Sequence, residues 1–211
     1  MRDAIIIQQA YSGSPYVHMI EFNYRRHVAY ALRHRFDYMA FFGTMMQTEE
    51  AFKGAWEKLY MIQQALERGY ELIAYIDADA MIADLKADLR DALRKTPFSI
   101  GACKHPAHHG HLNAGVLFFR RADRTLQFVN DWLSRRAGET SNWQEQAVLN
   151  RMANEPTYAG VVGIIPDIYN ATRAASTYSD DAVIIGYHNC LHSPDQRLAN
   201  MRADIERLGR V

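Results

Sequence analysis

Cysteine is almost absent: Cys103 and Cys190 are the only two in 211 residues. They are too few and too far apart to make a disulfide framework, so the chain does not read as a small stapled extracellular domain. Net charge is lacking too. The 24 Lys and Arg residues balance 24 Asp and Glu residues, which removes any overall field toward nucleic acid or an anionic membrane and leaves anion binding to local groups. Long apolar runs are missing as well. Stretches such as Ala4 to Ile7 and Val161 to Ile165 fall far below the roughly 20 residues of a membrane-crossing helix. No secretory pattern precedes the first strand candidate, and no internal repeat or low-complexity segment is evident. The expectation is a cytoplasmic chain with no membrane span and no nucleic-acid partner.

What is present is apolar material, 48% of the residues, enough for one domain with a substantial core. Ala4 to Ile7 form a β-branched run, and Ser12, Gly13, Ser14 and Pro15 follow as a turn with an N-cap serine and a proline at the first helical position. Val17, Ile20, Tyr24, Val28 and Ala31 then recur at helical spacing toward an end near Arg35. The plan repeats: Phe36 to Phe42 reads as a strand, Phe52, Ala55, Trp56, Leu59, Ile62 and Leu66 as a helix closed by Gly69, and Leu72 to Ile76 as a third strand. This alternation predicts an α/β fold, a Rossmann-like, mainly parallel mixed sheet flanked by helices. Further strands are expected at Phe98 to Ala102, Val116 to Phe119, Val161 to Ile165 and Val183 to Ile185, with helices near 123–136 and 143–152. Ser193, Pro194 and Gln196 open a last helix striped by Leu198, Met201, Ile205 and Leu208, which packs terminally or docks a further domain downstream.

The most informative place is Tyr75-Ile76-Asp77-Ala78-Asp79-Ala80. Two carboxylates follow directly on a buried strand, at the edge where open α/β sheets bind their ligands. Separated by one small residue, they can approach a single hard cation that also takes oxygens from a diphosphate. The bland alternative is that such acids cap a helix or face water. A metal-dependent phosphatase of the haloacid dehalogenase type also uses an acid pair after a strand, but that motif lies nearer the N-terminus and continues with Gly or Thr, which this chain lacks.

Four ordered motifs give the chain a wider likeness. They are Ala55-Trp56-Glu57-Lys58 through the acid pair, Leu112-Asn113-Ala114-Gly115-Val116-Leu117, Gln144-Glu145-Gln146-Ala147-Val148-Leu149-Asn150, and Ile185-Gly186-Tyr187-His188-Asn189-Cys190. In these the sequence resembles the retaining GT-A glycosyltransferases with a DxD motif, notably the bacterial lipooligosaccharide galactosyltransferase and glycogenin family and the fungal and plant galactosyl- and xylosyltransferases. The resemblance implies a single GT-A type domain over 1–211, with a nucleotide-binding half at about 1–80, an acceptor half at about 81–192 and a C-terminal helix at about 194–208.

It also implies roles for particular residues. Asp77, Asp79 and His188 would hold a divalent metal against the donor diphosphate, with His192 as the fallback ligand. Two carboxylates and an imidazole suit Mn²⁺ better than Mg²⁺. Asn113, Ala114 and Gly115 would meet the donor sugar, and Ala78 would leave room beside the metal. Lys58 would reach the sugar or phosphates, and Gln8, Gln9, Tyr11 and Ser12 would hold the nucleoside at the end of the first strand. Glu145 and Gln146 would flank the reacting carbon, although Asn142 with Glu145 also spells a capping box. The implied reaction moves a sugar from a UDP-sugar to a carbohydrate or glycoconjugate acceptor with retention, the alternatives being the phosphatase or a non-catalytic nucleotide-sugar binding module. The chain departs from the galactosyltransferase pattern after the metal histidine. His192-Ser193-Pro194-Asp195 stands where that family places a diphosphate-binding lysine, so His192 or Arg197 would have to substitute. The histidines at 105, 108, 109 and 111 show no zinc-ligand spacing and read as a solvated loop bordering the acceptor.

Overall fold

The computed structural model describes residues 2–11, 14–45, 51–173, 178–188 and 193–209. Ser12 and His192 lie outside the described residues, as does Cys190. The strands are β1 (Arg2–Ala10), β2 (Asp37–Phe42), β3 (Tyr70–Ile76), β4 (Ala80–Ile82), β5 (Ile100–Lys104), β6 (Leu112–Arg120), β7 (Val162–Ile164), β8 (Ala171–Thr172) and β9 (Ile184–Gly186). The helices are α1 (Pro15–His34), α2 (Glu57–Glu67), α3 (Asp91–Arg94), α4 (Asp123–Ser134), α5 (Gln144–Ala153) and α6 (Pro194–Leu208).

Six strands form the central sheet in the order β2-β1-β3-β6-β5-β7. All run the same way except β6, which is antiparallel to both its neighbours. The mainly parallel mixed sheet expected from the alternation is therefore what forms. Ile5, Ile7, Ile73, Tyr75, Leu117 and Phe119 enter one apolar cluster with α2, α4 and α5. Ile6, Leu72, Ala74, Ile76, Val116 and Phe118 enter another, with Tyr30 of α1 and Leu89 and Leu93 near α3. Burial on both faces explains why these strands are continuously apolar instead of alternating.

A second sheet, β4-β9-β8, carries the cleft's far wall. Ala80 pairs with Gly186, and Thr172 pairs with Gly186 from the other side. The N–H of Tyr187 donates to the carbonyl of Asp79 at 2.8 Å, which seats His188 beside the acid pair.

α1 differs from its apolar reading. Pro15 starts it as expected, but the Ser14 hydroxyl makes no cap bond. Its buried face holds Met19, Ile20, Asn23, Arg26, His27, Tyr30 and Ala31, whereas Tyr24 of the expected stripe is 46% exposed. The polar members serve backbone groups that no ladder satisfies. Asn23 donates to the carbonyls of Ala78 (3.4 Å) and Ala80 (3.2 Å), Arg26 to that of Ile82 (2.7 Å), and His27 Nε2 accepts from the N–H of Ile82 (3.0 Å). Unpaired, each such buried group would cost about 1–3 kcal/mol. α1 is thus the cradle for the turn bearing Asp77 and Asp79.

Candidate active site

β1 and β3 lie side by side in parallel, with Ile7 opposite Tyr75, so the residues that follow each strand leave the sheet at one edge. A cleft of about 480 Å³ opens there, lined by Gln9, Tyr11, Ala78 and Asp79 among others. The Tyr11 ring reaches it by lying over Gly54, where any side chain would collide with the ring.

Lys58 enters from the first turn of α2 and is only 4% exposed. Its Nζ stands 3.1 Å from Asp77 Oδ1, 3.0 Å from Glu145 Oε1 and 3.1 Å from the carbonyl oxygen of Ala114. Burial alone would lower the ammonium, but the two carboxylates outweigh it and hold Lys58 above the usual lysine value. Glu145 is itself raised, by burial first, with Lys58 pulling the other way and Asp77 adding to the rise. The helix makes no side-chain cap bond at its start. The capping box spelled by Asn142 and Glu145 does not form, since Trp143 stands at the N-cap; Glu145 instead pairs with Lys58.

Asp79 is paired differently. Arg197, from the first turn of α6, places Nη1 2.6 Å from Asp79 Oδ2 and 3.4 Å from the Tyr16 hydroxyl. His188 is partly exposed; its desolvation in the cleft wall lowers the imidazole, against the opposing pull of Asp79 and Asp77. Its Nε2 faces the Asn113 amide nitrogen (2.9 Å) and the Thr172 hydroxyl (3.0 Å). Asn113 Oδ1 already accepts from the N–H of Gly115 (2.7 Å) and from Asn170 (3.1 Å), so its NH₂ group is the side that meets His188. Nδ1 lies against Gly186, where a Cβ would sit 2.6 Å from it.

Among the described residues no three of His, Cys, Asp and Glu are gathered so as to hold a metal ion. The expected trio of Asp77, Asp79 and His188 shares the cleft without forming a coordination shell. The reason is local: Lys58 and Arg197 each claim a carboxylate, and the imidazole turns Nε2 to Asn113 and Thr172.

Other expected residues stand behind the wall. Gln8 is fully buried: its oxygen accepts from His27 Nδ1 (2.7 Å) and the Tyr38 hydroxyl (2.8 Å), and its amide donates to the carbonyl of Asp77 (3.3 Å). Gln146 Oε1 accepts from the N–H of Ala114 at 2.8 Å, and Asn150 one turn later bonds Leu112 through both its N–H (2.6 Å) and its carbonyl (3.1 Å). A helical step of four residues spans about 6 Å and a strand step of two about 6.6 Å, so α5 grips alternate residues of β6 without strain. This grip sets Asn113, Ala114 and Gly115 in the first residues of β6, a strand that begins four residues before the expected Val116. Gly115 in turn lets Asp77 close in, since a Cβ there would meet Asp77 Oδ2 at 3.2 Å. The sequence does not point to Tyr16, Asn170 or Thr172; Tyr75 and Asn150 lie inside quoted motifs without being singled out.

Solved structures sharing this fold include that of a glycosyltransferase involved in the glycosylation of the major capsid of PBCV-1, with a TM-score of 0.72 at 16% identity over 95% of this chain and 98% of that one. Mouse xyloside xylosyltransferase 1 in its apo form aligns with a TM-score of 0.57 at 11% identity, over 89% of this chain and 98% of that one. The glycosyltransferase GlyE of Streptococcus pneumoniae TIGR4 aligns with a TM-score of 0.57 at 13% identity, over 99% of this chain but 64% of that one. The fold is that of the GT-A glycosyltransferases. A family model described as nucleotide-diphospho-sugar transferase matches residues 18–175, and the chain belongs to that family of enzymes. The phosphatase and the non-catalytic module give way to it. No curated protein matches the sequence.

Proposed function

We propose that this glycosyltransferase moves a hexose or pentose from a UDP-sugar to an acceptor hydroxyl with retention, using a divalent cation. The observation that carries the proposal is the charge pattern of the cleft: three carboxylates, Asp77, Asp79 and Glu145, and two cationic side chains, Lys58 and Arg197, interleaved at the edge where β1 and β3 end. Such a wall suits a ligand that is itself anionic and cation-bound, as a nucleoside diphosphate is.

On this reading Tyr11 stacks on the uracil and Gln9 borders the ribose, both from the end of β1. Asp77, Asp79 and His188 are the residues that would hold Mn²⁺ or, less suitably, Mg²⁺. Bound there, the cation supplies charge for the departing diphosphate. Arg197 then exchanges its carboxylate for a phosphate oxygen, in the role a lysine fills in the galactosyltransferase pattern. Lys58 lies within reach of the sugar side, fixed by Glu145 and Asp77. Glu145 supplies negative charge near the reacting carbon, and Gln146 keeps the Asn113-Ala114-Gly115 start of β6 against the sugar. Ser12 and His192 join the list as sequence expectations only.

The test is calorimetric titration of UDP into metal-free protein, with and without Mn²⁺, followed by a panel of UDP-sugars. Binding that depends on Mn²⁺, and one preferred sugar, is the expected result. UDP bound equally without Mn²⁺ would overturn the metal assignment, and no binding in either condition would overturn the donor site.

A further inference from the structure

The donor cleft uses none of the four histidines between β5 and β6. Their loop is closed on itself: the N–H of His105 donates to the carbonyl of His111 (2.7 Å), and that of His111 to the carbonyl of His108 (3.1 Å). Trp143, just ahead of α5, packs into the loop with ring centroids 5.1 Å from His105, 4.5 Å from His108 and 6.0 Å from His111. The rings therefore make an aromatic surface around the indole and do not converge on a metal, in keeping with the lack of such a cluster among the described residues. His108 and His111 are exposed and Trp143 is half-buried. A second cavity of about 720 Å³ lies against His111, Trp143, Ala147 and Arg151.

This surface carries little charge. Burial, followed by the neighbouring imidazoles, lowers His105 to about 4. Arg151 is paired with Glu139, and Glu155 with Arg135. A flat aromatic face edged by ring nitrogens suits a pyranose ring, whose C–H face stacks on the indole while its hydroxyls meet the nitrogens. Among the described residues, both charged side chains that line this cavity, Arg151 and Glu155, are already paired.

Two observations tie the surface to the donor cleft. The His105 ring lies 6.5 Å from that of His188. Between Trp143 and Glu145, Gln144 holds φ 44, a left-handed conformation uncommon outside glycine. That kink sends Trp143 toward the histidine loop while Gln144 and Glu145 line the donor cleft. Strain of this kind collects at working sites.

Resting on the glycosyltransferase reading above, we propose that Trp143, with His105, His108 and His111, forms the acceptor subsite and that the acceptor is a neutral saccharide stacked on the indole. The chain has three tryptophans, and Trp56 and Trp132 are only 1% and 0% exposed. Iodide quenching of tryptophan emission thus reads Trp143. Methyl glycosides and neutral disaccharides are titrated in the presence of saturating UDP and Mn²⁺, and calorimetry then follows the best of them in Trp143→Ala. Saturable protection from iodide is expected, with affinity falling about tenfold or more in the variant, a loss of about 1.4 kcal/mol. His108→Ala and His111→Ala, at exposed positions, give smaller losses in the same direction and serve if Trp143→Ala fails to fold by circular dichroism. UDP bound with no response to any neutral saccharide overturns the subsite and leaves the donor reading standing. Failure to bind UDP overturns the donor reading itself. Saccharide affinity unchanged in all three variants, or protection by anionic sugars or peptides alone, also overturns the subsite.

Discussion

Lys58 looks unremarkable in the sequence, one of five lysines, yet once folded it meets two carboxylates and the carbonyl of Ala114. Lys58→Met keeps its bulk but leaves Asp77 and Glu145 without a counter-charge. The expected loss is about 3 kcal/mol, or a Tm lower by roughly 6–12 °C in a chain of this size. The pH dependence follows from Glu145, whose folded-state value lies above its unfolded one. Its protonated form is the one folding favours, so its contribution is fullest below the ordinary glutamate range and is lost as pH rises through the raised value. Removing Lys58 raises it further. The Tm gap between variant and wild type should therefore be smaller near about pH 5 than near about pH 7.5. Paired thermal melts check this, and a gap that widens on acidification would refute it. Arg197 makes a separate prediction. With Arg197→Ala freeing Asp79, Mn²⁺ should bind the nucleotide-free protein about tenfold more tightly by calorimetry. Unchanged affinity would mean that Asp79 is not where the ion goes.

Among the elements, α5 shows how site and scaffold are one object. Its apolar residues Val148, Leu149 and Met152 enter the core, Gln146 and Asn150 hold the start of β6, and Glu145 faces the cleft. Its backbone is fixed from α4, where Trp132 donates to the carbonyl of Glu145 at 2.9 Å. Asn150→Ala should cost about 2 kcal/mol by leaving the N–H and carbonyl of Leu112 unsatisfied, and so lower Tm by roughly 4–8 °C. Transfer should fall too, since the start of β6 at Asn113 loses its support. A stable variant with full activity would show the grip to be dispensable. Glycine at 186 gives a companion case. Gly186→Ala puts a methyl 2.5 Å from His188 Cε1 and from Asn170 Oδ1, and should weaken Mn²⁺-dependent UDP binding with the far-ultraviolet circular dichroism unchanged. The sequence made α5 and the acid pair legible because apolar spacing and an ordered motif both mark them. It hid the buried face of α1, where Asn23, Arg26 and His27 face inward for hydrogen bonds that hydrophobic periodicity cannot register. It also placed β5 two residues early and passed over the short strands β4 and β8, whose pairing depends on distant partners.

For the molecule as a whole, the sheet and its helices could be anticipated because the central strands β1, β3 and β6 are buried on both faces and each helix on one, while the edge strands β2 and β7 are only partly buried. The state of the cleft could not, because it depends on which of several charges meet across long separations. α6 illustrates this. It was read as a terminal packing helix, and Met201 does pack at 0% exposure, yet the same helix delivers Arg197 to Asp79. Its Asp204, 1% exposed, accepts from Arg173 (2.9 Å) and from the Tyr187 hydroxyl (3.0 Å), bracing the residue next to His188. Asp204→Ala should lower stability by about 2 kcal/mol, because it leaves the buried Tyr187 hydroxyl without its acceptor, whereas Arg173 and Arg207, 38% and 44% exposed, can turn to water. Denaturant titration measures it, and a loss below about 1 kcal/mol would class these contacts with exposed ones. Among the described residues no helix is long and apolar enough to cross a membrane.

Arg197 follows Asp79 by 118 positions along the chain. At a synthesis rate of about 5–20 residues per second, the carboxylate precedes its arginine by roughly 6–24 seconds. Through that interval the newborn chain holds the acid pair without its final counter-charge.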